Sequence, residues 1–206
     1  MLSLSNVSLK TNNKLILDNI SAEVKKGELV IIKGLDDSGK TTLLDVISGL
    51  IPDYEGKISL FGKELKNLEF EETERLFFVP DNLIVEKKMS VSESLAWNRD
   101  RSPFYSIEIE ASLIKRFGID ARVKIKDLDE SSNKSLQLIP AFSSGADLIL
   151  LDEPDNFLNQ ESLNKWKRII GASIYGGKSI VMTTSGESTL KDFGGTLWTM
   201  FEGKLK

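Results

Sequence analysis

The sequence predicts an α/β domain in which a mixed, mainly parallel sheet is flanked by helices, with an antiparallel β edge and a helical insert. Three observations lead to this prediction. Short segments of β-forming residues alternate with longer segments of helical period, as strands joined by helices do. The apolar runs VII, LFFV and LILL suit central strands, whereas LSLSNVS alternates like a half-exposed edge strand. A stretch without strand candidates separates the two parts of the sheet.

The individual elements follow from composition and periodicity. A helix is predicted over residues 106–117, because Ile109, Leu113 and Phe117 recur at a spacing of four. Gly118 is expected to end that helix. The predicted strands are 2–8, 20–24, 29–33, 57–60, 76–79, 148–151, 179–183 and 196–201.

We expect one domain that comprises residues 1–206. Its sheet core is predicted at 1–82 and 141–206, and its helical insert at about 83–140. We also expect Trp97, Trp166 and Trp198 to be packing residues, since each lies in a segment with apolar periodicity.

Composition excludes several kinds of chemistry. The 206 residues include no cysteine and no histidine, which rules out thiolate or imidazole zinc sites and nucleophiles that depend on histidine. The formal net charge of −4 argues against a nucleic-acid partner. No apolar run approaches the roughly 18 residues needed to cross a bilayer, and the first residues lack the features of a signal peptide. We therefore expect a cytoplasmic protein.

The most informative segment is a glycine-containing loop between a predicted strand and a predicted helix. Residues 34–41 read GLDDSGKT, which matches G-x-x-x-x-G-K-[ST] in the required context. Such a loop directs backbone N–H groups and a helix N-terminus towards phosphates. In that arrangement Lys40 reaches the β- and γ-phosphates and Thr41 holds Mg²⁺. The acidic pair Asp36 and Asp37 opposes a triphosphate, so we expect binding with some loss of affinity.

Two carboxylates follow the apolar run LILL. Asp152 and Glu153 are placed where a parallel sheet presents its ligand-binding edge. Asp152 suits Mg²⁺ binding through water, and Glu153 suits the orientation or deprotonation of an attacking water. By itself the segment also fits a buried strand followed by a solvated acidic turn. Its occurrence together with Lys40 favours the catalytic interpretation.

The whole chain resembles the nucleotide-binding subunits of ATP-binding cassette (ABC) transporters. The resemblance rests on the opening strands, on GKTTLLDVISGLIPDYEGKISLFGKEL as Walker A helix and hairpin, on LILLDEP as Walker B, and on MSVSESL at the start of the helical subdomain. It implies a P-loop NTPase fold of the RecA-like type, with ATP and Mg²⁺ as cofactors. The implied nucleotide-binding residues are Gly34, Leu35, Asp36, Asp37, Ser38, Gly39, Lys40, Thr41 and Thr42. Glu153 is the implied catalytic residue, and the implied metal ligands are Thr41, Asp152 and Asp81.

Several family motifs are altered. In the family an aromatic residue stacks on adenine, and its position falls near Thr11, which has no ring. The Q-loop glutamine of the family corresponds to Asp81. The LSGGQ signature falls on residues 128–132, which read LDESS and place two carboxylates where phosphate is bound in the family. The D-loop aspartate corresponds to Asn159 and the switch histidine to Ser185. These changes predict that hydrolysis is slow or impaired.

The resemblance implies a subunit that couples Mg-ATP binding to a membrane permease. The predicted partners are a transmembrane permease subunit, received by a cleft of the helical insert near Asp81, and a second cassette in a homodimer or heterodimer. The protein is then peripheral on the inner face of the cell membrane.

Two alternatives remain at the level of sequence. One is a regulatory or structural module that retains the fold without significant turnover. The other is a P-loop GTPase or small-molecule kinase, which is disfavoured because no guanine-specifying NKxD motif occurs: Asn164 and Lys165 are followed by Trp and Lys.

Overall fold

The computed structural model describes residues 1–81, 83, 85–185 and 193–206. The strands in this part of the chain are β1 (Leu2–Thr11), β2 (Lys14–Val24), β3 (Leu29–Lys33), β4 (Glu55–Leu60), β5 (Lys63–Glu64), β6 (Leu76–Val79), β7 (Leu148–Leu151), β8 (Ser179–Thr184), β9 (Thr196–Phe201) and β10 (Lys204–Leu205). The helices are α1 (Lys40–Ile47), α2 (Phe70–Thr73), α3 (Val91–Arg99), α4 (Ile107–Phe117), α5 (Glu130–Ser143) and α6 (Gln160–Tyr175).

A six-stranded sheet forms the centre of the fold, in the order β10-β9-β3-β8-β7-β6. Strands β9, β3, β8, β7 and β6 pair in parallel, and β10 pairs antiparallel with β9. The predicted mixed, mainly parallel sheet is thereby confirmed. Parallel pairing brings the carboxyl ends of β3, β7 and β8 to one edge, where the phosphate loop, the acidic pair and Ser185 all begin.

The antiparallel strands form a sheet of their own, in the order β2-β1-β4-β5. β1 and β2 are longer than predicted and are joined by Asn12 and Asn13, which have φ values of 51° and 63°. Two successive positive φ angles are typical of the two-residue turns that match the twist of a hairpin, and asparagine tolerates them better than most residues. The turn pairs Thr11 with Lys14.

The apolar core lies on both faces of the six-stranded sheet. Side chains alternate along each strand, so that Ile31 of β3 faces one cluster while Val30 and Ile32 face the other. The first cluster includes residues of α3 to α6, and the second includes α1 and the antiparallel sheet. The continuous apolar strands thus hold three layers together.

Three of the helices lie between residues 83 and 143. Ser90 caps α3, Ser106 caps α4 and Asp129 caps α5, in each case by accepting a hydrogen bond from the amide three residues further on. Gly118 ends α4 in a left-handed conformation, as predicted. The division into core and insert stays a prediction, and residue 82, at its first boundary, lies outside the described residues.

The three tryptophans differ in their surroundings, and Trp198 of β9 is half-buried against the second cluster. Trp166 of α6 is 1% exposed and stacks on Phe117 of α4 at 4.7 Å, with Phe142 of α5 at 5.0 Å. It therefore joins three helices. Trp97 of α3 is 63% exposed, so the prediction that it is a packing residue is wrong. The periodicity of α3 reflects Val91 and Leu95, which are buried.

We expect Trp166→Ala to lower the free energy of unfolding by about 3–5 kcal/mol, because a large cavity is left among three helices. The matched change Trp97→Ala removes an exposed ring and should cost less than about 1 kcal/mol. Urea denaturation of both variants and the parent measures the two losses. Equal losses would contradict the packing described for Trp166.

Candidate functional site

The loop between β3 and α1 curls tightly because it contains glycine at two crowded positions. A Cβ atom at Gly34 would lie 2.5 Å from the carbonyl oxygen of Met200. Gly39 has φ +105°, and a Cβ there would approach the carbonyl oxygen of Ile16 to 3.0 Å. Larger residues would push the loop away from β2 and β9.

The N-terminus of α1 is arranged to receive an anion. Gly39 is its N-cap. Among the described residues, no side chain caps the helix by accepting a hydrogen bond from its first amide groups, and no acidic residue occupies its first turn. The first amide groups of a helix have no partner within the helix, and its dipole places partial positive charge at the same end. This terminus is therefore available for phosphate.

Lys40 lies beneath the loop and is 5% exposed. Its ammonium group donates to the carbonyl oxygens of Gly34 at 2.8 Å and Leu35 at 3.0 Å. It also forms an ion pair with Oε1 of Glu153 at 3.3 Å. The lysine thus links the loop to the acidic strand end, and a nucleotide phosphate must compete with these partners for its protons.

Asp152 connects the loop to two strands of the sheet. It is 1% exposed, and each of its oxygens accepts a hydrogen bond. Oδ2 accepts from the hydroxyl of Thr41 at 2.8 Å, and Oδ1 accepts from the hydroxyl of Thr183 at 2.5 Å. Burial, and then the Asp152 carboxylate, raise the pKa of Asp45 on the neighbouring helix α1 above its usual range.

Glu153 is held on both carboxylate oxygens. Oε1 faces Lys40, and Oε2 accepts from the amide of Ser185 at 2.8 Å and from its hydroxyl at 3.2 Å. The backbone is left-handed at Glu153, with φ 44°, and its amide donates to the hydroxyl of Thr183 at 2.9 Å. These contacts fix the carboxylate at the edge of the cavity.

A cavity of about 870 Å³ opens above these residues. Its volume is within the range of small-molecule binding sites. It brings together most of the residues predicted for the site. Gly34, Leu35 and Ser38 belong to the loop but do not line the cavity. The lining comprises Lys14, Ile16, Asp36, Asp37, Gly39, Lys40, Thr41, Thr42, Pro80, Asp81, Asp152, Glu153, Asn156 and Ser185.

The cavity carries an excess of negative charge. Its described lining contains five carboxylates and two ammonium groups, those of Lys14 and Lys40. Asp37 adopts φ 60°, a left-handed conformation in the middle of the loop. Since carboxylates repel a triphosphate, a free nucleotide is disfavoured here relative to one whose charge is reduced by a divalent cation.

Asp81 lies in the cavity wall and already has partners. Its Oδ1 accepts from the ammonium group of Lys134 at 3.1 Å and from the side-chain amide Nδ2 of Asn156 at 3.3 Å. The Lys134 side chain is 3% exposed, whereas that of Asp81 is 25% exposed. Asp81 is therefore the counter-charge of a buried lysine that α5 contributes from behind the site.

The donor set at Thr41 and Asp152 fits Mg²⁺. A hydroxyl and a carboxylate converge within 2.8 Å of each other, next to a helix N-terminus suited to phosphate. Mg²⁺ in nucleotide sites is typically bound by one or two carboxylates together with phosphate oxygens and water. No group of three or more acidic ligands that could hold a metal by itself occurs among the residues described. The metal would therefore depend on the nucleotide for most of its ligands.

The segment at the signature position, residues 128–132, contains the start of α5. Its carboxylates offset the positive end of the dipole of that helix. Asp129 accepts from the amide of Ser132 at 3.0 Å and from its hydroxyl at 2.6 Å. The hydroxyl and then the amide of Ser132 lower the pKa of Asp129, which keeps the carboxylate ionised. Ser131 is buried and donates to Ser162 at 3.0 Å, while it accepts from the amide of Asn159 at 3.1 Å. The polar groups of Asp129 and Ser131 are thus hydrogen-bonded to groups of the same chain.

Sequence reasoning missed four residues that line the cavity, namely Lys14, Ile16, Pro80 and Asn156, and also missed Lys134, which lies behind it. Lys14 and Ile16 reach the cavity because the hairpin turn brings β2 beside the loop. The adjacent residues Asn12 and Asn13 could have indicated that turn from the sequence. Asn156 follows the acidic pair in the same turn. Lys134 lies in a helix whose contact with Asp81 is tertiary, so no local signal identifies it.

The fold and the sequence can both be compared with known proteins. A solved structure described as the ATP-binding subunit of an ABC transporter superposes with a TM-score of 0.89 at 19% identity, covering 100% of this chain and 88% of that one. The xylose import ATP-binding protein XylG of Geobacillus kaustophilus is 31% identical over 171 residues, or 75% of this chain and 33% of that protein. A protein of Methanosarcina acetivorans that is provisionally named an ABC transporter ATP-binding protein is 28% identical over 212 residues, or 100% of this chain and 40% of that protein.

The chain therefore spans well under half the length of these two relatives. Within the described residues, no helix combines the length and hydropathy needed to cross a membrane. Residues 17–156, more than half of the chain, match the family described as ABC transporter. The chain belongs to the ABC transporter family, and its fold is that of the family's ATP-binding cassettes.

Proposed function

We propose that this chain is the ATP-binding subunit of an ABC transporter, that it binds Mg-ATP, and that it couples binding to a membrane permease while hydrolysing ATP slowly. The observation that carries the proposal is the hydrogen bond from Thr41 to Asp152 at 2.8 Å, beneath a cavity of about 870 Å³. It joins the phosphate loop to the acidic strand end across 111 residues of sequence.

The roles of the lining residues follow from their contacts. The amides of residues 34–41 and the first turn of α1 bind phosphate oxygens, and Lys40 turns from Glu153 to the phosphates. Thr41 and Asp152 would hold Mg²⁺, and Asp81 would contribute through Oδ2, since its Oδ1 is engaged by Lys134 and by the side-chain amide of Asn156. When bound, the metal offsets phosphate charge and orients the terminal phosphates.

Glu153 is the proposed base. Once Lys40 has moved to the phosphates, Oε1 of Glu153 loses its counter-charge and is free to accept a proton from a water molecule. Oε2 stays bonded to Ser185, which orients the carboxylate. A serine in this position supplies no imidazolium charge for the leaving phosphate.

Slow turnover is supported by three features. Ser185 replaces the family's switch histidine, and Asp81 has no amide donor to offer a water or phosphate. At the signature position, Asp129 and Glu130 present negative charge, and Asp129 already caps the helix. A partner cassette therefore gains no anion-binding helix end from this chain.

A groove of about 580 Å³ is the proposed docking place for a permease helix. It lies between β6, α3 and α5, and includes Phe77, Met89, Trp97 and Pro140. Trp97 is exposed within this lining, with the Arg101 guanidinium 4.8 Å from its ring centre. An apolar groove with an exposed aromatic ring suits the apolar face of a helix. The protein is then held peripherally on the inner face of the membrane, paired with an identical or different cassette, and uses no nucleic acid.

A regulatory or structural module without significant turnover is the second candidate. The observation that favours it is that the ammonium group of Lys40 already has three oxygen partners within the chain, at 2.8, 3.0 and 3.3 Å. In that case Lys40 serves only to pair with Glu153 and the loop carbonyl groups, and nucleotide is dispensable.

We expect Mg-ATP to bind and EDTA to abolish binding, because the cavity is rich in carboxylates. Lys40→Met should weaken Mg-ATP binding at least about thirtyfold, since a charged hydrogen bond to phosphate is lost while the buried stem remains. Isothermal titration calorimetry measures both effects. Lys63→Ala, at an exposed lysine paired with Glu72, is the matched control and should leave affinity unchanged. Absence of binding to the parent at millimolar Mg-ATP would favour the module without nucleotide function.

Asp37→Asn should tighten Mg-ATP binding by about threefold to tenfold at low salt, because one negative charge beside the phosphates is removed. Asparagine tolerates the left-handed backbone at this position, so the change isolates the charge. The gain should shrink as ionic strength rises. Asp53→Asn, an exposed change outside the cavity lining, is the control. A gain that is independent of salt would contradict the electrostatic explanation.

Steady-state phosphate release should be about 0.1 s⁻¹ or slower, below the usual range of enzymes. Glu153→Gln should slow the remaining hydrolysis at least tenfold without weakening Mg-ATP binding, since the base is lost and no phosphate contact is removed. Turnover measured beside affinity separates these effects. Turnover at an ordinary ABC ATPase rate would contradict the proposed consequences of Ser185 and the LDESS segment.

A further inference from the structure

We propose that Lys134 is a positioning residue that sets the metal preference of the nucleotide site, because it leaves the carboxylate of Asp81 only one free oxygen. The inference rests on the proposed function and specifies which divalent cation accompanies the nucleotide. Lys134 lies behind the cavity wall and acts only through Asp81, which lines the cavity.

The ion pair joins a buried lysine to a partly exposed carboxylate. The ammonium group of Lys134 donates to Oδ1 of Asp81 at 3.1 Å, and the two side chains are 3% and 25% exposed. The side-chain amide of Asn156 donates to the same Oδ1 at 3.3 Å. Among the residues described, no hydrogen-bond donor is paired with Oδ2 of Asp81. Oδ2 is therefore the oxygen that remains for a metal.

The packing of α5 keeps Lys134 in this position. Ser135, the next residue, is fully buried and accepts from the indole N–H of Trp166 at 3.3 Å. One turn earlier, Ser131 donates to the hydroxyl of Ser162 at 3.0 Å. Both bonds hold α5 against α6, so the lysine cannot withdraw unless the two helices separate.

Lys134 also has nowhere else to place its charge. Within the described part of the chain, Asp81 is the only carboxylate at ion-pair distance from it. A buried ammonium group without a counter-charge is strongly unfavourable. Nucleotide phosphates offer new partners to Lys40, which lines the cavity, but none to Lys134. Oδ1 of Asp81 therefore stays engaged when nucleotide is bound.

The other two carboxylates at this end of the cavity are restricted in the same way. Oδ1 of Asp152 accepts from the hydroxyl of Thr183 at 2.5 Å. Oε2 of Glu153 accepts from the amide of Ser185 at 2.8 Å. Each carboxylate thus has one oxygen bonded to a group of the fold. None of the three is free to bind a metal through both oxygens.

This restriction separates small from large divalent cations. Ca²⁺ takes about six to eight oxygen ligands and often binds a carboxylate through both oxygens, whereas Mg²⁺ takes about six in octahedral geometry and retains several waters. Single carboxylate oxygens, phosphates and water are sufficient for Mg²⁺ but leave Ca²⁺ short of ligands. Loss of Lys134 would free Oδ1 of Asp81, and the added oxygen benefits Ca²⁺ more than Mg²⁺.

The test is calorimetric titration of the full chain with ATP in an excess of either Mg²⁺ or Ca²⁺. The parent should bind Mg-ATP at least about tenfold more tightly than Ca-ATP, and Lys134→Met should lower this preference at least about threefold. Methionine retains an apolar stem in the buried position. Water replaces the lysine at the partly exposed Asp81, so we expect the variant to fold.

Two results would overturn the inference and leave the proposed function intact. One is a parent without a preference for Mg-ATP, and the other is a folded Lys134→Met variant with the parental preference. If the parent binds neither complex, the proposed function and this inference both fail. Lys165→Met, which breaks an ion pair with Glu161 at the surface of α6, is the matched control and should alter neither constant.

A double variant tests whether Lys134 acts through Asp81. Lys134→Met combined with Asp81→Asn should show at least the parental preference, because a side-chain amide has only one oxygen to offer a metal. A preference that stays low would contradict the positioning role. The double variant leaves no charge unpaired, so it remains informative if Lys134→Met alone does not fold, and a preference below the parental one again overturns the inference.

Discussion

The buried carboxylate of Asp152 is the constraint on which the geometry of the site depends. At 1% exposure it must have hydrogen-bond partners, because an unpaired buried charge is strongly destabilising. Its two partners are hydroxyl groups, from Thr41 at the start of α1 and from Thr183 near the end of β8. The parallel pairing of β7 with β8, and of β8 with β3, brings all three residues to one edge of the sheet. The position of the phosphate loop is therefore fixed by the sheet, independently of any ligand.

The same edge contains opposing charges that balance one another without nucleotide. Lys40 faces Glu153, and Lys134 faces Asp81, and each lysine is at most 5% exposed. Buried pairs of this kind contribute little net stability while both partners remain, but removing one partner is costly. A ligand that attracts Lys40 therefore releases the Glu153 carboxylate at the same moment. Binding and the exposure of the proposed base are thus coupled through one ion pair.

Much of this arrangement could be predicted from sequence, because its signals are local. The phosphate loop, the acidic pair and the continuous apolar strands are short patterns whose meaning depends on neighbouring residues. The exposure of Trp97 was not predictable, since helical periodicity in α3 is satisfied by Val91 and Leu95 alone. Lys134 and Ile16 were also missed, because Lys134 reaches Asp81, and Ile16 reaches the cavity, through contacts between elements distant in sequence. Such contacts are decided by packing, on which a single sequence gives no direct information.

The N-terminal ends of α1 and α5 differ in their electrostatics. The N-terminus of α1 has a glycine cap and, among the described residues, no acidic side chain in its first turn, so its amides remain available to an anion. The N-terminus of α5 is capped by Asp129 and is followed directly by Glu130, so its positive end is already offset. Both helices begin at loops that the family resemblance assigns to nucleotide. Only the first has the electrostatics for that role, which supports the proposal of a chain that binds nucleotide in its own pocket and contributes little to the pocket of a partner.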